Sequence, residues 1–143
     1  MTNTNDVIHI EYTVNDNDFS RAGEASSDLK KRLKALGISP EAVRRVSIAL
    51  YEGEINMVIH AHGGKIDADI YPDRIELVLA DVGPGIEDIE KAMQVGYSTA
   101  PAQIMALGFG AGMGLPNMKK NTDDMVIESE LGVGTTVKMR IDF

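Results

Sequence analysis

The sequence predicts an α+β domain, a two-layer α/β sandwich with helices on one face of a mostly antiparallel sheet. Three observations predict it. The N-terminal segment alternates apolar and polar side chains, two longer segments repeat apolar residues at three- and four-residue steps, and two pairs of apolar-rich runs are each joined by a turn sequence. At 143 residues the chain has the size of one ordinary domain, read as residues 1–143, and can bury a core without covalent staples.

Residues 7–14 place Ile8, Ile10, Tyr12 and Val14 on one side and His9, Glu11 and Thr13 on the other, the period of an amphipathic strand. From Phe19 onward, Phe19, Ala22, Ser26, Leu29, Leu33 and Leu36 recur at helical spacing, and Gly37 follows where a helix C-terminus favours left-handed geometry. Ser39-Pro40 supplies an N-cap and a first-turn residue for a second helix, along which Val43, Val46, Leu50 and Met57 form a stripe ending near His60. Runs 66–71 and 74–80 flank Pro72-Asp73 and predict an antiparallel hairpin. Residues 81–114 are glycine-rich and irregular, broken by Pro84 and Pro101, with one short helical stretch near 87–94. A long irregular stretch in a small domain usually carries function. A short helix over 115–121 follows, and 125–129 pairs with 135–143 across Leu131-Gly132-Val133-Gly134.

Composition narrows the function classes. The formal charge is −8, and no basic cluster exceeds Lys30-Lys31-Arg32, so the footprint of a nucleic-acid binder is missing. Residues 1–6 are polar, with no signal pattern, and no apolar run approaches the roughly 18 residues of a membrane span, so a soluble protein with no membrane partner is expected. The absence of cysteine excludes disulfides and thiolate metal sites and makes a reducing cytoplasm the default location.

Four stretches carry the candidate chemistry. Glu52 and Asn56 stand one helical turn apart and His60 continues their face, so one metal–phosphate assembly can be addressed from it. Magnesium takes oxygen ligands and keeps several waters, which suits the amide oxygen of Asn56 and leaves Glu52 to orient or deprotonate a nucleophile. On spacing alone the pair reads better as a solvated helix surface, and neighbouring Glu54 shows how readily acidic residues occur there. Asp81 ends an apolar run, where a carboxylate can accept the exocyclic amine of adenine while Gly83 and Gly85 let the backbone approach the ring; an ordinary turn is the alternative. Gly108, Gly110, Gly112 and Gly114 alternate directly before a helix, exposing backbone N–H groups beside its positive end as a phosphate cradle; a flexible hinge is the alternative. That run does not fit G-x-G-x-x-G, and no segment reads G-x-x-x-x-G-K-[ST], so neither the dinucleotide fold nor the P-loop applies. Gly132-Val133-Gly134-Thr135 is the fourth stretch. His60-x-His62 lacks a third metal ligand at suitable spacing and reads as a pair of helix-end groups, and Met105, Met113 and Met118 read as core packing.

Taken in order, these stretches resemble the GHKL superfamily of ATP-binding domains: Glu52/Asn56 its N box, and 81–85, 108–114 and 132–135 its three glycine boxes. The resemblance spans nearly the whole chain and implies a Bergerat-type ATP-binding fold with an ATP lid over residues 86–107. It implies ATP or ADP as ligand with Mg²⁺ on Asn56, adenine on Asp81, and Thr135 near both. Further nucleotide contacts fall on His60, Gly83, Gly85 and Ile86, on Gly108, Phe109, Gly110, Ala111, Gly112, Met113 and Gly114, and on Leu115. The stretch 52–61 is similar to that of the bacterial anti-sigma factors and stress-switch serine kinases, which implies Glu52 as the base acting on the serine hydroxyl of an antagonist or regulator protein. Residues 96–99 and Gly114-Leu115-Pro116 look closer to the switch-kinase branch. The chain departs from related kinases in having no Lys or Arg between Lys91 and Lys119, which leaves Mg²⁺, backbone N–H groups or Lys119 and Lys120 to neutralise the phosphates. The rival expectation is therefore a nucleotide-gated binding module that captures a regulator or a sigma factor without efficient transfer. Ile104, Met105, Leu107 and Phe109 make the lid apolar and suited to contact a partner, with homodimerisation left open.

Overall fold

The computed structural model of the chain describes residues 7–15, 21–60, 62–83 and 114–143. Five strands, β1 (Ile8–Val14), β2 (Gly64–Ile70), β3 (Arg74–Asp81), β4 (Asp124–Glu130) and β5 (Gly134–Asp142), form one sheet in the order β1-β2-β3-β5-β4. Every pairing is antiparallel, so β5 lies between β3 and β4 and pairs with both. Alternation does its expected work: Ile66, Ala68 and Ile70 of β2, Ile75, Leu77 and Leu79 of β3, and Val137, Met139 and Ile141 of β5 are all buried in one core. The residues between them face the other side and are mostly polar.

Helices α1 (Glu24–Ala35), α2 (Pro40–His60) and α3 (Gly114–Lys120) pack against the buried face. Leu29 and Leu33 give α1 its apolar face, and Gly37, at φ 78°, follows its end with its N–H donating to the Lys34 carbonyl. The predicted cap of α2 is present, the Ala42 N–H donating to Ser39 Oγ at 3.3 Å, with Pro40 in the first turn, where its missing N–H costs nothing. α2 is buried over far more than one stripe because α1, α3 and the sheet all pack on it. Its contact with β3 depends on Gly53: a Cβ there would strike the Leu79 side chain and stand 3.2 Å from Met118 Cε.

Two boundaries differ from the sequence expectation. α1 starts at Glu24, not near Phe19, because Gly23 stands at φ 95° immediately before it and breaks the helical path; Phe19 itself lies outside the described residues. β2 starts at Gly64, where it pairs with Val14 on one side and Asp81 on the other. The short helix expected near 87–94 lies outside the described residues. Among the described residues no helix is long and apolar enough to cross a membrane.

Candidate functional site

Two glycine-bearing turns meet at one end of β3. Asp81 is the last residue of that strand and is half-buried, and the Thr135 N–H donates to its Oδ1 at 2.8 Å. A second bond ties the same turns together, the Gly83 N–H donating to the Val133 carbonyl at 3.2 Å. β5 passes so close to Asp81 that a Cβ on Gly134 would collide with the Asp81 carbonyl oxygen, and only glycine fits there. The Thr135 side chain turns the other way, its hydroxyl sharing a 2.9 Å hydrogen bond with Ser129 Oγ, so the backbone rather than the hydroxyl of Thr135 meets Asp81.

The electrostatics of Asp81 follow from that position. Burial raises its pKa above the ordinary carboxylate range, and the Thr135 N–H, which favours the charged form, opposes the rise. Among the described residues that N–H is its one hydrogen-bond donor, leaving acceptor capacity for a ligand amine.

Above β3, α2 presents Glu52 and Asn56, both half-buried, and both meet α3. Asn117 Nδ2 donates to Glu52 Oε1 at 3.4 Å, and Asn56 Nδ2 lies 3.9 Å from the sulfur of Met118. Met118 is buried in the core, and the Asn121 side chain donates to the Asn117 carbonyl at 2.8 Å, so α3 is fixed where it holds the two α2 side chains. With its amide nitrogen directed at Met118, the Asn56 oxygen accepts no hydrogen bond from the described residues and suits a hard cation. Leu115 packs at the edge of the core, and Lys119 and Lys120 are exposed at the end of α3.

The structure thus brings Asp81, Gly83 and Thr135 together, and Glu52 and Asn56 together against Asn117 and Met118 of α3, the helix that also carries Leu115. Gly85, Ile86, Gly108, Phe109, Gly110, Ala111, Gly112 and Met113 lie outside the described residues, as does the side chain of His60. Two residues escaped the sequence reading. Asn117 gave no motif signal. Glu54 did give one, since Leu50, Glu54 and Val58 share a helix face whose other members are buried, a spacing that puts a carboxylate in the core. Both its oxygens are engaged there, accepting from the Ala25 N–H at 3.0 Å and the Ser26 N–H at 3.2 Å. Gly23 offers α1 no capping side chain, so Glu54 caps it from another helix.

A cavity of about 420 Å³ lies elsewhere, between β1 and α1, with Tyr12, Asp28, Lys31 and Glu54 among its walls and none of Glu52, Asn56, Asp81 or Thr135. Tyr12 donates to Asp28 Oδ2 at 2.7 Å and Arg32 to the same oxygen at 2.8 Å, which together hold the Asp28 pKa below its usual range.

A five-stranded antiparallel sheet under helices, with a half-buried strand-end aspartate clasped by a later glycine–threonine turn and a Glu/Asn pair on the covering helix, defines an ATP-binding domain of the histidine-kinase type. Family comparison agrees: residues 16–141 match the model of the histidine kinase-like ATPase domain, and the chain belongs to that family. Membership implies nucleotide binding. The chain is similar to the serine/threonine-protein kinase RsbT of Bacillus subtilis, 32% identical over 109 residues covering 73% of this chain and 76% of that protein. It is also similar to the anti-sigma F factor of Caldanaerobacter subterraneus subsp. tengcongensis, 36% identical over 104 residues and 69% of each chain. The anti-sigma F factor of Clostridium acetobutylicum is 33% identical over 108 residues, 72% of each chain.

Proposed function

We propose that the protein is an ATP-dependent serine/threonine protein kinase of the anti-sigma regulatory type, acting on an antagonist protein. The observation that carries this reading is the pairing of a half-buried Asp81, held by Thr135, with a Glu52/Asn56 face on the helix above the same strand. The similarity to a serine/threonine-protein kinase and to anti-sigma F factors supports it.

In this reading Asp81 accepts the exocyclic amine of adenine, a group that donates hydrogen bonds where a guanine would present an acceptor. The half-buried setting strengthens that bond and penalises a ligand that fails to make it. Asn56 offers its amide oxygen to Mg²⁺, which when bound would supply charge neutralisation at the phosphates. Glu52, steadied by Asn117, takes the proton of the incoming serine hydroxyl. Gly85, Ile86 and the run 108–113 complete the phosphate cradle and lid, with Gly114 and Leu115 at its α3 end, His60 near the phosphates and Phe109 toward the partner. Catalysis is then mainly positioning and charge neutralisation.

One observation favours a second reading, a nucleotide-gated module that captures a regulator or a sigma factor without efficient transfer. No Lys or Arg occurs between Lys91 and Lys119, so residues 92–118, which include the glycine run, bring no cation to the phosphates.

The reading is tested by titration calorimetry of ATP and ADP with and without Mg²⁺, on wild type and Asp81→Asn. Metal-enhanced binding that the substitution abolishes is expected. A folded wild type that binds neither nucleotide would overturn the assignment.

A further inference from the structure

The solvent face of the sheet carries a cluster that nucleotide chemistry does not use. The β1–β2 register sets His9 opposite Asp69 and Glu11 opposite Asp67, at the four corners of a patch spanning two strands. Side chains two apart on a strand share a face, so all four project from the side away from the helices. His9 Nδ1 is hydrogen-bonded to Asp69 Oδ1, while its Nε2 lies 3.2 Å from Glu11 Oε1 and 3.5 Å from Asp67 Oδ1. Ligand atoms of His9, Glu11 and Asp67 all lie within 4.8 Å of one another.

This arrangement differs from an ordinary surface ion pair in two respects. The first is the use of the imidazole. A carboxylate on Nδ1 fixes the ring's orientation, and Nε2, hydrogen-bonded to Glu11, sits between two further carboxylates, so a bound ion would take the place of the Nε2 proton and meet both of them, as at metal-ligating histidines. The second is charge. The described ion pairs of Glu11, Asp67 and Asp69 all run to His9, so three carboxylates share one group that carries at most a single positive charge. Across the next strand Asp69 faces Glu76, which is paired with Arg74, and Asp67 faces Val78, while Lys65, exposed on the same face two residues along β2, forms none of the described ion pairs with the cluster. A divalent ion corrects the imbalance at the point where the three ligand atoms converge.

We propose that His9, Glu11 and Asp67 form a binding site for a first-row divalent cation of the Zn²⁺ type, with Asp69 orienting the His9 ring. One imidazole and two carboxylates give three protein ligands and leave a position open to water, and the nitrogen selects against Mg²⁺ and Ca²⁺, which prefer oxygen alone. His9 is 48% exposed, so the open position faces solvent. Because β1 is an edge strand and two of the ligands sit on it, the bound ion joins β1 to β2 by something other than backbone hydrogen bonds.

Titration of the nucleotide-free, Mg²⁺-free protein with Zn²⁺ by calorimetry, with thermal unfolding followed in parallel, tests the site. One ion per chain and a melting temperature that rises with Zn²⁺ are expected. Glu11→Gln, which preserves shape, and His9→Ala should each weaken binding at least about tenfold, while Asp69→Asn, which leaves all three ligands in place, should weaken it by about ten- to a hundredfold. Glu11→Gln and Asp69→Asn each remove one negative charge from exposed or half-exposed positions, so those metal-free variants should melt close to the metal-free wild type, whereas His9→Ala, which leaves three carboxylates without their shared cation, should melt lower. A wild type without stoichiometric Zn²⁺ binding would overturn the proposal. So would binding that survives His9→Ala and is lost in His62→Ala.

Discussion

Glu52 and Glu54 are the same residue type on one helix, two positions apart, and they live in different environments. A step of two residues turns the helix by about 200°, so one carboxylate faces α3 and the other α1. Glu54 is 3% exposed, with both oxygens engaged by the backbone of α1. Glu52 is half-buried and, among the described residues, accepts one long hydrogen bond, from Asn117. Gly53 between them sets the closeness of α2 to β3 and thereby fixes both outlooks. A carboxylate whose acceptor sites are filled by N–H groups is structural, and one left with free acceptor capacity beside a ligand site is available for chemistry.

The sharpest way to break this comparison is to neutralise each carboxylate in turn. Glu52→Gln should reduce phosphoryl transfer from ATP to the antagonist protein by roughly 10²–10⁴-fold while leaving nucleotide affinity and melting temperature near wild type. Radiolabel transfer measured beside calorimetry checks it, and an unchanged transfer rate would remove Glu52 as the base. Glu54→Ala should do the reverse, costing on the order of 3 kcal/mol in urea unfolding, because it strands two buried N–H donors at the start of α1. A loss no larger than that of an ordinary surface substitution would mean that water or another side chain caps α1.

A third and smaller effect extends the comparison to Asp81, which shares features of both. Its folded pKa is raised by burial, so its protonation favours the folded state. That contribution is fully present below the ordinary carboxylate pKa and is lost as pH rises through the raised folded value. Asp81→Asn should therefore flatten the pH dependence of melting temperature in the mildly acidic range and be no less stable than wild type near neutrality. If Asp81 accepts the adenine amine as proposed, nucleotide affinity should run the opposite way, falling on acidification through the same window, since the ionised carboxylate is the stronger acceptor. Superimposable pH profiles for wild type and variant would refute the assignment of the shift to Asp81.

Much of the fold was legible because its signals are local. The alternation of β1, the stripe and Ser39-Pro40 start of α2, the hairpin around Pro72-Asp73 and the return of β4 into β5 each depend on neighbouring residues, and each is found close to its expected place. What was not legible depends on distant partners. Nothing in the periodicity of 134–142 says that this strand separates β3 from β4. The role of Glu54 depends on α1 backbone groups 28 and 29 residues away, and that of Asn117 on a side chain 65 residues away. At the site, the approach of Thr135 to Asp81 was implied by family resemblance rather than by spacing, and the reversal of the threonine, backbone inward and hydroxyl toward Ser129, was not implied at all.

The position of β5 also has a consequence for how the molecule assembles. Asp81 and its donor Thr135 are 54 residues apart in sequence and adjacent in space, and β3 gains its second neighbour only when β5 arrives. Contacts of such long range tend to form late, because the loop they close must be ordered first. A nascent chain that has released β1, β2, α1, α2 and β3 therefore still exposes one edge of β3, beside an aspartate with nothing to hold it. Acquisition of the ligand-ready carboxylate and protection of that sticky edge become a single event on the folding pathway, so a chain stalled before it is both inactive and prone to aggregate.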